Sequence, residues 1–290
     1  MSIKPRLVAL LSTLALATQA LAAESDWNTP QTPFELFGNS YYVGTHGLSS
    51  ILITSPQGHI LIDGTIPEAA PGIAANVRAL GFRVEDIKVI LNSHDHYDHA
   101  GGIAELQKLS GAKVWASAPS AKTLENGKSS PEDPQFCSLP SLPKVANVAV
   151  LKEGAVVKVG ALELTPHSTP GHTAGGTTWT WKSCRKDDNS ERCLDMVYAD
   201  SISAVSAPGF RFSAHPEVLK RFERSFAVIR SLPCDVLVST HPEITALWER
   251  LEKRESQGER DALIDRTACE MYVEASRERL RKRLAEESGN

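Results

Sequence analysis

The apolar run Val89-Ile90-Leu91 passes through Asn92-Ser93 directly into His94-Asp95-His96-Tyr97-Asp98-His99, followed by Ala100-Gly101-Gly102. This junction constrains the fold more than any other part of the chain. A short run rich in β-branched residues reads as a buried strand. Here it delivers the backbone into a segment where three of the nine histidines fall within six residues. Buried polar groups without partners are costly, so such crowding needs a chemical reason. Imidazole and carboxylate are ligands for borderline divalent metals, zinc above all. Alternate residues of an extended segment point the same way, so His94 and His96 are placed to grip one ion. Asp98 and His99, at the start of a helix, face a second ion beside it.

Four side chains are too few for two ions, so the fold must bring further ligands from far along the chain. Thr169-Pro170-Gly171-His172-Thr173 sets a histidine in a Gly/Pro turn after a strand. Thr240-His241-Pro242 sets another after the apolar strand 235–239. Sites in open α/β sheets gather beyond the carboxyl ends of the strands, and all three segments arrive there. His46, His59, His167 and His215 lack such context and read as non-ligands, with His167 near enough to His172 to line a pocket.

The elements around these segments alternate. Residues 41–43, 50–54 and 59–63 read as short strands, 67–80 as a helix stopped by Gly81, 88–91 as the buried strand, and 103–108 as a short helix. Residues 127–144 carry four prolines and read as a surface loop. Strands near 149, at 156–159 and at 162–165 precede a hairpin of 177–181 and 194–198. A helix over 217–230, the strand 235–239 and a charged amphipathic helix over 260–286 complete the chain. No linker divides the halves and no 20–50-residue period recurs. The reading is one α/β domain, a sandwich of sheets faced by helices.

Composition narrows the class. The chain has 290 residues, 41% hydrophobic and 23% charged, which excludes a disordered, collagen-like or polytopic membrane protein. With 31 basic against 35 acidic residues it has no surplus for a nucleic-acid partner. Lys4 and Arg6 precede an apolar stretch from Leu7 to Ala17, too short to span a bilayer, and Ala20 and Ala22 fit a cleavage site. Residues 1–22 are therefore expected to be a signal peptide, leaving 23–290 as a soluble domain without a membrane anchor, exported to an oxidising compartment. There the five cysteines can pair. Cys184 and Cys193 flank a wholly polar segment and would staple the hairpin. Cys234 and Cys269 could tie a strand to the last helix, leaving Cys137 as a lone thiol. No close cysteine pair suggests a zinc site.

The pattern His-x-His-x-Asp-His, a Pro-Gly-His-Thr turn and a late histidine after a strand resembles the metallo-β-lactamase superfamily. Leu61-Ile62-Asp63-Gly64 fits its early strand. Tyr41-Tyr42-Val43-Gly44-Thr45, Thr178-Trp179-Thr180-Trp181, Tyr198-Ala199-Asp200-Ser201-Ile202-Ser203 and Leu232-Pro233-Cys234-Asp235 narrow the resemblance to subclass B3. It implies an αβ/βα sandwich in one domain, two zinc ions and a periplasmic location. It puts His94, His96 and His172 on the first zinc and Asp98, His99 and His241 on the second. It implies that Ser201 and Ser203 contact the substrate carboxylate and that Cys234 pairs with Cys269. The activity it implies is hydrolysis of the β-lactam amide by a hydroxide shared between the metals, conferring antibiotic resistance, with Asp98 orienting the nucleophile and the chain acting as a monomer on a small-molecule substrate. Asp63 is expected to orient a ligating histidine or to cap a turn.

Two other readings stand beside this one. A lactonase or thioesterase of the same superfamily would use Asp200 to bridge the metals. A zinc-dependent binding protein would keep the metals without turnover. Ser183-Cys184-Arg185-Lys186 and Ser141-Leu142-Pro143-Lys144 match the Ser-x-x-Lys of serine enzymes, but no accompanying motif supports them. Gly127-Lys128-Ser129 lacks the first glycine of a phosphate loop.

Overall fold

The computed structural model describes residues 27–152, 154–187 and 190–289. The expected signal peptide, 1–22, lies outside them. Among the described residues the chain builds two sheets. The first has seven strands in sequence order: β1 (Phe34–Phe37), β2 (Ser40–Tyr42), β3 (Ile51–Ile53), β4 (His59–Ile62), β5 (Ile87–Leu91), β6 (Lys113–Ala116) and β7 (Ala149–Val150). The second runs β12 (Val236–Ser239), β11 (Ser190–Ala199), β10 (Thr177–Asp187), β9 (Leu162–Ser168), β8 (Val157–Val159). The β4–β5 and β11–β12 pairs are parallel.

Strand alternation sorts the side chains into layers. Ile51, Ile53, Ile60, Ile62, Val89 and Leu91 of the first sheet meet Met196, Tyr198, Val236 and Val238 of the second in one central core. The intervening Leu52, Leu61 and Ile90 point outward and are covered by α1 (Ala70–Ala79) and α3 (Ile103–Ser110), whose Ile73, Val77 and Leu106 join them. Val197 and Leu237 are covered by α5 (Pro216–Arg230) and α7 (Ala268–Ser288) through Phe222, Phe226, Tyr272 and Val273. The result is the expected αβ/βα sandwich, each sheet shielded from water by its own helices.

Several details differ from the sequence reading, among them β1 and β6, which it did not place. Of the polar segment between Cys184 and Cys193, residues 185–187 and 190–192 are strand and not loop, with Cys184 paired with Cys193 and Lys186 with Glu191. Beyond the sandwich this hairpin has no core to cover, so it carries no apolar alternation, and ladder bonds with the Cys184–Cys193 disulfide hold it. The last helix begins at Ala268, not near 260, because 257–267 form turns. Two helices carried no clear signal, α4 (Ala118–Asn126) and α6 (Leu247–Ser256), the latter too polar to show a core stripe. Cys234–Cys269 is also bonded, joining the approach to β12 to α7, and Cys137 is a free, exposed thiol. No helix among the described residues is long and apolar enough to cross a membrane.

The carboxyl ends of β4, β5, β11 and β12 and the β9–β10 turn meet at one edge, where hydrogen bonds join the sheets. Trp179 Nε1 donates to Asn92 O at 3.1 Å, Thr177 N to Ser93 O at 2.8 Å, and Ser49 N to Thr240 O at 2.9 Å. All are shielded from water, and together they fix the register of one half against the other.

Candidate metal centre

Beyond Leu91 the backbone is held before the first histidine appears. Asp63 accepts from Ser93 N at 2.7 Å, from Ser93 Oγ at 2.6 Å and from Tyr198 OH at 2.8 Å. Asp63 thus acts on the loop carrying His94, and not on a ligating ring itself. Its own loop is strained: Asp63 and the β-branched Thr65 have φ of 61° and 55°, a region that costs a non-glycine residue about 1–2 kcal/mol. Bonds to the next helix hold it there, Gly64 N to His99 O at 2.8 Å and Gly102 N to Thr65 O at 3.0 Å. The approach is so close that a Cβ on Gly102 would sit 2.2 Å from Gly64 O.

His94, His96 and His172 present one nitrogen each within 4.8 Å of one another. What lies behind each ring decides where its proton sits. His172 Nδ1 is 2.8 Å from the Ser203 carbonyl, which only accepts, so that nitrogen carries the hydrogen. His96 Nε2 donates to Asp133 Oδ2 at 3.0 Å. With the His96 ring neutral, its inward Nδ1 and His172 Nε2 are both lone pairs, 3.2 Å apart, and the Gln135 amide nitrogen, a donor, lies 3.3 and 3.4 Å from them. His94 Nδ1 is 2.9 Å from Asp200 Oδ1, and its Nε2 is buried without a partner. Lone pairs aimed at one point repel unless a donor or a cation stands between them, a place the Gln135 amide approaches and a metal ion would fill. The donor set, three imidazoles, suits zinc.

The electrostatics agree. Burial, then the charges of the neighbouring imidazoles, push His94 well below the usual histidine range. Burial and His96 push His172 down to about 3. Both rings are neutral at physiological pH, the form that ligates metals. Burial opposes protonation of His96 as well, but Asp133 overrides it and raises the group. Burial and the Asp63 charge push Asp200 well above the ordinary carboxylate range. Positive charge on the inward side of His94 favours the shared proton on Nδ1.

Asp98 and His99 come from the one-turn helix α2 (Tyr97–Ala100). Asp98 Oδ2 lies 3.0 Å from His99 Nε2 and 3.3 Å from His241 Nε2, and the two Nε2 atoms are 3.2 Å apart. Burial works against the Asp98 charge, but His99 and His241 hold it well below the usual range. Ligand atoms of His94, Asp98 and His99 also fall within 4.8 Å of one another, so the two clusters adjoin. The sequence fold that brings in the late histidines is local: Gly171 adopts a φ of 148°, and a Cβ there would strike the Phe222 ring at 2.7 Å. Ser225 Oγ pins the turn through Pro170 O at 2.6 Å.

The expected set thus converges, while other candidates fall elsewhere. Asp200 stands behind His94 instead of between the clusters. Ser201 is buried and Ser203 half-buried beside His172, and neither hydroxyl is hydrogen-bonded within the described residues. His167 bonds Thr180 Oγ1 at 2.8 Å in the sheet, away from the metal-facing atoms. His46, His59 and His215 pack on Trp248, Phe82 and Phe210. Sequence reasoning missed Asp133 and Gln135, because a Pro-rich loop gives no signal of where its middle will land.

A sequence profile of the metallo-beta-lactamase superfamily matches residues 43–185. Among solved structures, Rm3 metallo-beta-lactamase is 54% identical over 91% of this chain and 97% of that protein, with a TM-score of 0.87. MEM-A1, a subclass B3 metallo-beta-lactamase from a soil metagenome library, is 50% identical over 91% and 99%, with a TM-score of 0.86. A curated hydroxyacylglutathione hydrolase of Jannaschia sp. (strain CCS1) is 29% identical over 62% of this chain and 56% of its own length. The chain spans about half the length of the curated relatives it matches. The chain belongs to the metallo-β-lactamase superfamily, and its structural neighbours place it with subclass B3.

Proposed function

We propose that this chain is a di-zinc hydrolase of the β-lactam amide bond, exported to the periplasm, where it confers β-lactam resistance. The observation that supports the metal site is the convergence of one nitrogen each from His94, His96 and His172 within 4.8 Å, with His94 Nε2 buried and unpartnered among the described residues. The likeness to metallo-beta-lactamases at about half identity supports the substrate class. Two disulfides support an oxidising compartment.

His94, His96 and His172 would hold one zinc ion, and Asp98, His99 and His241 the other. Such a pair supplies a Lewis acid for the amide carbonyl and lowers the pKa of water towards neutrality. The remaining work belongs to the chain. Asp98 turns Oδ2 to the two imidazoles and leaves Oδ1 without a partner among the described residues, placed to accept a hydrogen bond from the attacking water and aim it. The attacking water gives up one proton to solvent as its oxygen bonds to the carbonyl carbon, the C–N bond breaks, and the departing nitrogen takes up a proton from solvent, leaving an amine and a carboxylic acid that ionises. The unpartnered hydroxyls of Ser201 and Ser203 bind the substrate carboxylate. Asp200, Asp133 and the Ser203 carbonyl keep the three rings oriented through the cycle.

The curated relatives favour a second reading, hydrolysis of acyl thioesters. With Asp200 bonded to His94 Nδ1, a bridge through that carboxylate would require it to leave its partner. The test is purified protein on a carbapenem, a lactone and an acyl thioester, with zinc content measured. The proposal expects chelator-sensitive turnover of the carbapenem well above the others. Faster thioester turnover would establish the second reading, and zinc retention without turnover a binding protein.

A further inference from the structure

The middle of the Pro-rich segment 127–144 is attached to the molecule in an unusual way. Its ends are anchored conventionally, Leu142 N to Gly127 O and Val145 N to Leu124 O. Among the described residues, every hydrogen bond leaving 130–138 goes to His96, His172 or Ala207. Asp133 is the strongest of these ties. Only 7% of it is exposed, its Oδ2 accepts from His96 Nε2 at 3.0 Å, and its Oδ1 accepts from Gln135 N at 2.7 Å. A carboxylate buried in a loop is costly unless it is paired in this way.

Pro134 O, next to it, accepts from Ala207 N at 2.8 Å. Ala207 follows the segment whose Ser203 carbonyl holds His172. The contacts close a ring: His96, Asp133, Pro134, Ala207, Ser203, His172, and back to His96. The closing link is the 3.2 Å contact between His96 Nδ1 and His172 Nε2, which a cation bound by both nitrogens would lock.

Resting on the metal-centre reading above, we infer that Asp133 is a positioning residue that ties the 127–144 loop to the first metal ion, so that metal occupancy and loop order are coupled. The coupling is reciprocal: an ion that aligns His96 and His172 tightens the loop, and a loop that holds His96 strengthens the ion's binding. The loop then becomes fully ordered only when the first site is loaded.

Amide hydrogen exchange of 130–138, with zinc affinity from competition against a chromophoric chelator, tests this without any β-lactam. Wild type, Asp133→Ala, Asp133→Asn and the exposed neighbour Glu132→Gln are compared, with and without zinc. Zinc is expected to slow exchange at 130–138 in wild type and in Glu132→Gln. Asp133→Ala is expected to weaken the tighter site by about 10–100-fold and to abolish that protection. Asp133→Asn keeps an acceptor for His96 and should fall between, which guards against a fold defect in the alanine variant. The inference is overturned if both alanine and asparagine variants hold zinc as wild type does, or if zinc leaves exchange at 130–138 unchanged in wild type. A wild type that binds no zinc would instead overturn the metal-centre reading.

Discussion

The two halves of the metal centre are built to different standards. On the His94, His96 and His172 side, every ring has a polar partner behind it: Asp200 at 2.9 Å, Asp133 at 3.0 Å and the half-buried Ser203 carbonyl at 2.8 Å. On the Asp98, His99 and His241 side, His99 Nδ1 is buried with no partner among the described residues. The His241 side chain is 20% exposed, and beyond the cluster it has a backbone hydrogen bond at Gly47 and the exposed Glu243, 3.9 Å from its Nδ1. Outer partners fix ring orientation and raise ligand basicity, so the first half is preorganised and the second is adaptable. Adaptability suits the side where Asp98 and an arriving substrate must rearrange.

The largest expected effect strikes the adaptable half. Asp98→Ala should lower carbapenem turnover on the order of a thousandfold, the loss typical of a positioned acid–base group, while retaining one zinc per chain. Zinc content measured beside activity checks this, and loss of both ions would break the distinction between the halves. Phe222→Ala attacks the other half through its support. Phe222 is fully buried against Gly171 and anchors α5. The variant should lose about 3–5 kcal/mol in denaturant unfolding and weaken zinc binding at the His172 side.

Graded chelation of the wild type sharpens the comparison further. One ion should leave before the other, with affinities separated by about 10–100-fold if outer partners set the difference. Asp200→Asn should narrow that gap from the tight side, seen in the same titration. The smallest effect is a control remote from the metals. Glu287 accepts from Phe212 N, Ser213 N and Arg283 Nε at 3.0, 2.8 and 2.9 Å. Burial opposes its charge, but Arg283 and these amides pull it down to about 2 from 4.5. A depressed carboxyl contributes stability above its unfolded pKa and loses it as pH falls through the folded one. Glu287→Gln should therefore cost on the order of 2 kcal/mol at neutral pH, with the difference from wild type vanishing between about pH 4.5 and 2. Zinc affinities should not move.

The sequence was informative where chemistry and punctuation coincide. The ligand set was legible because histidines and an aspartate follow apolar strands or Gly/Pro turns, and the sandwich was legible from short apolar runs such as 51–53 and 59–62 bounded by turn residues. The disulfide hairpin was half legible: its cysteines were evident, but its outer strands are polar on both faces and so look like a loop. Helix α6 buries only Leu247 and Leu251 with Trp248 half-buried beside them, too short a stripe to stand out in a polar segment. Asp133 was illegible because burial of a loop carboxylate depends on where His96 arrives from another part of the chain, which no local pattern encodes.

A crystal of the protein grown with zinc, measured at the zinc absorption edge, tests the central claim most directly. The account predicts two anomalous peaks side by side, one within bonding distance of His94, His96 and His172 and the other of Asp98, His99 and His241. A single peak, or either His172 or His241 turned away from the ions, would contradict it.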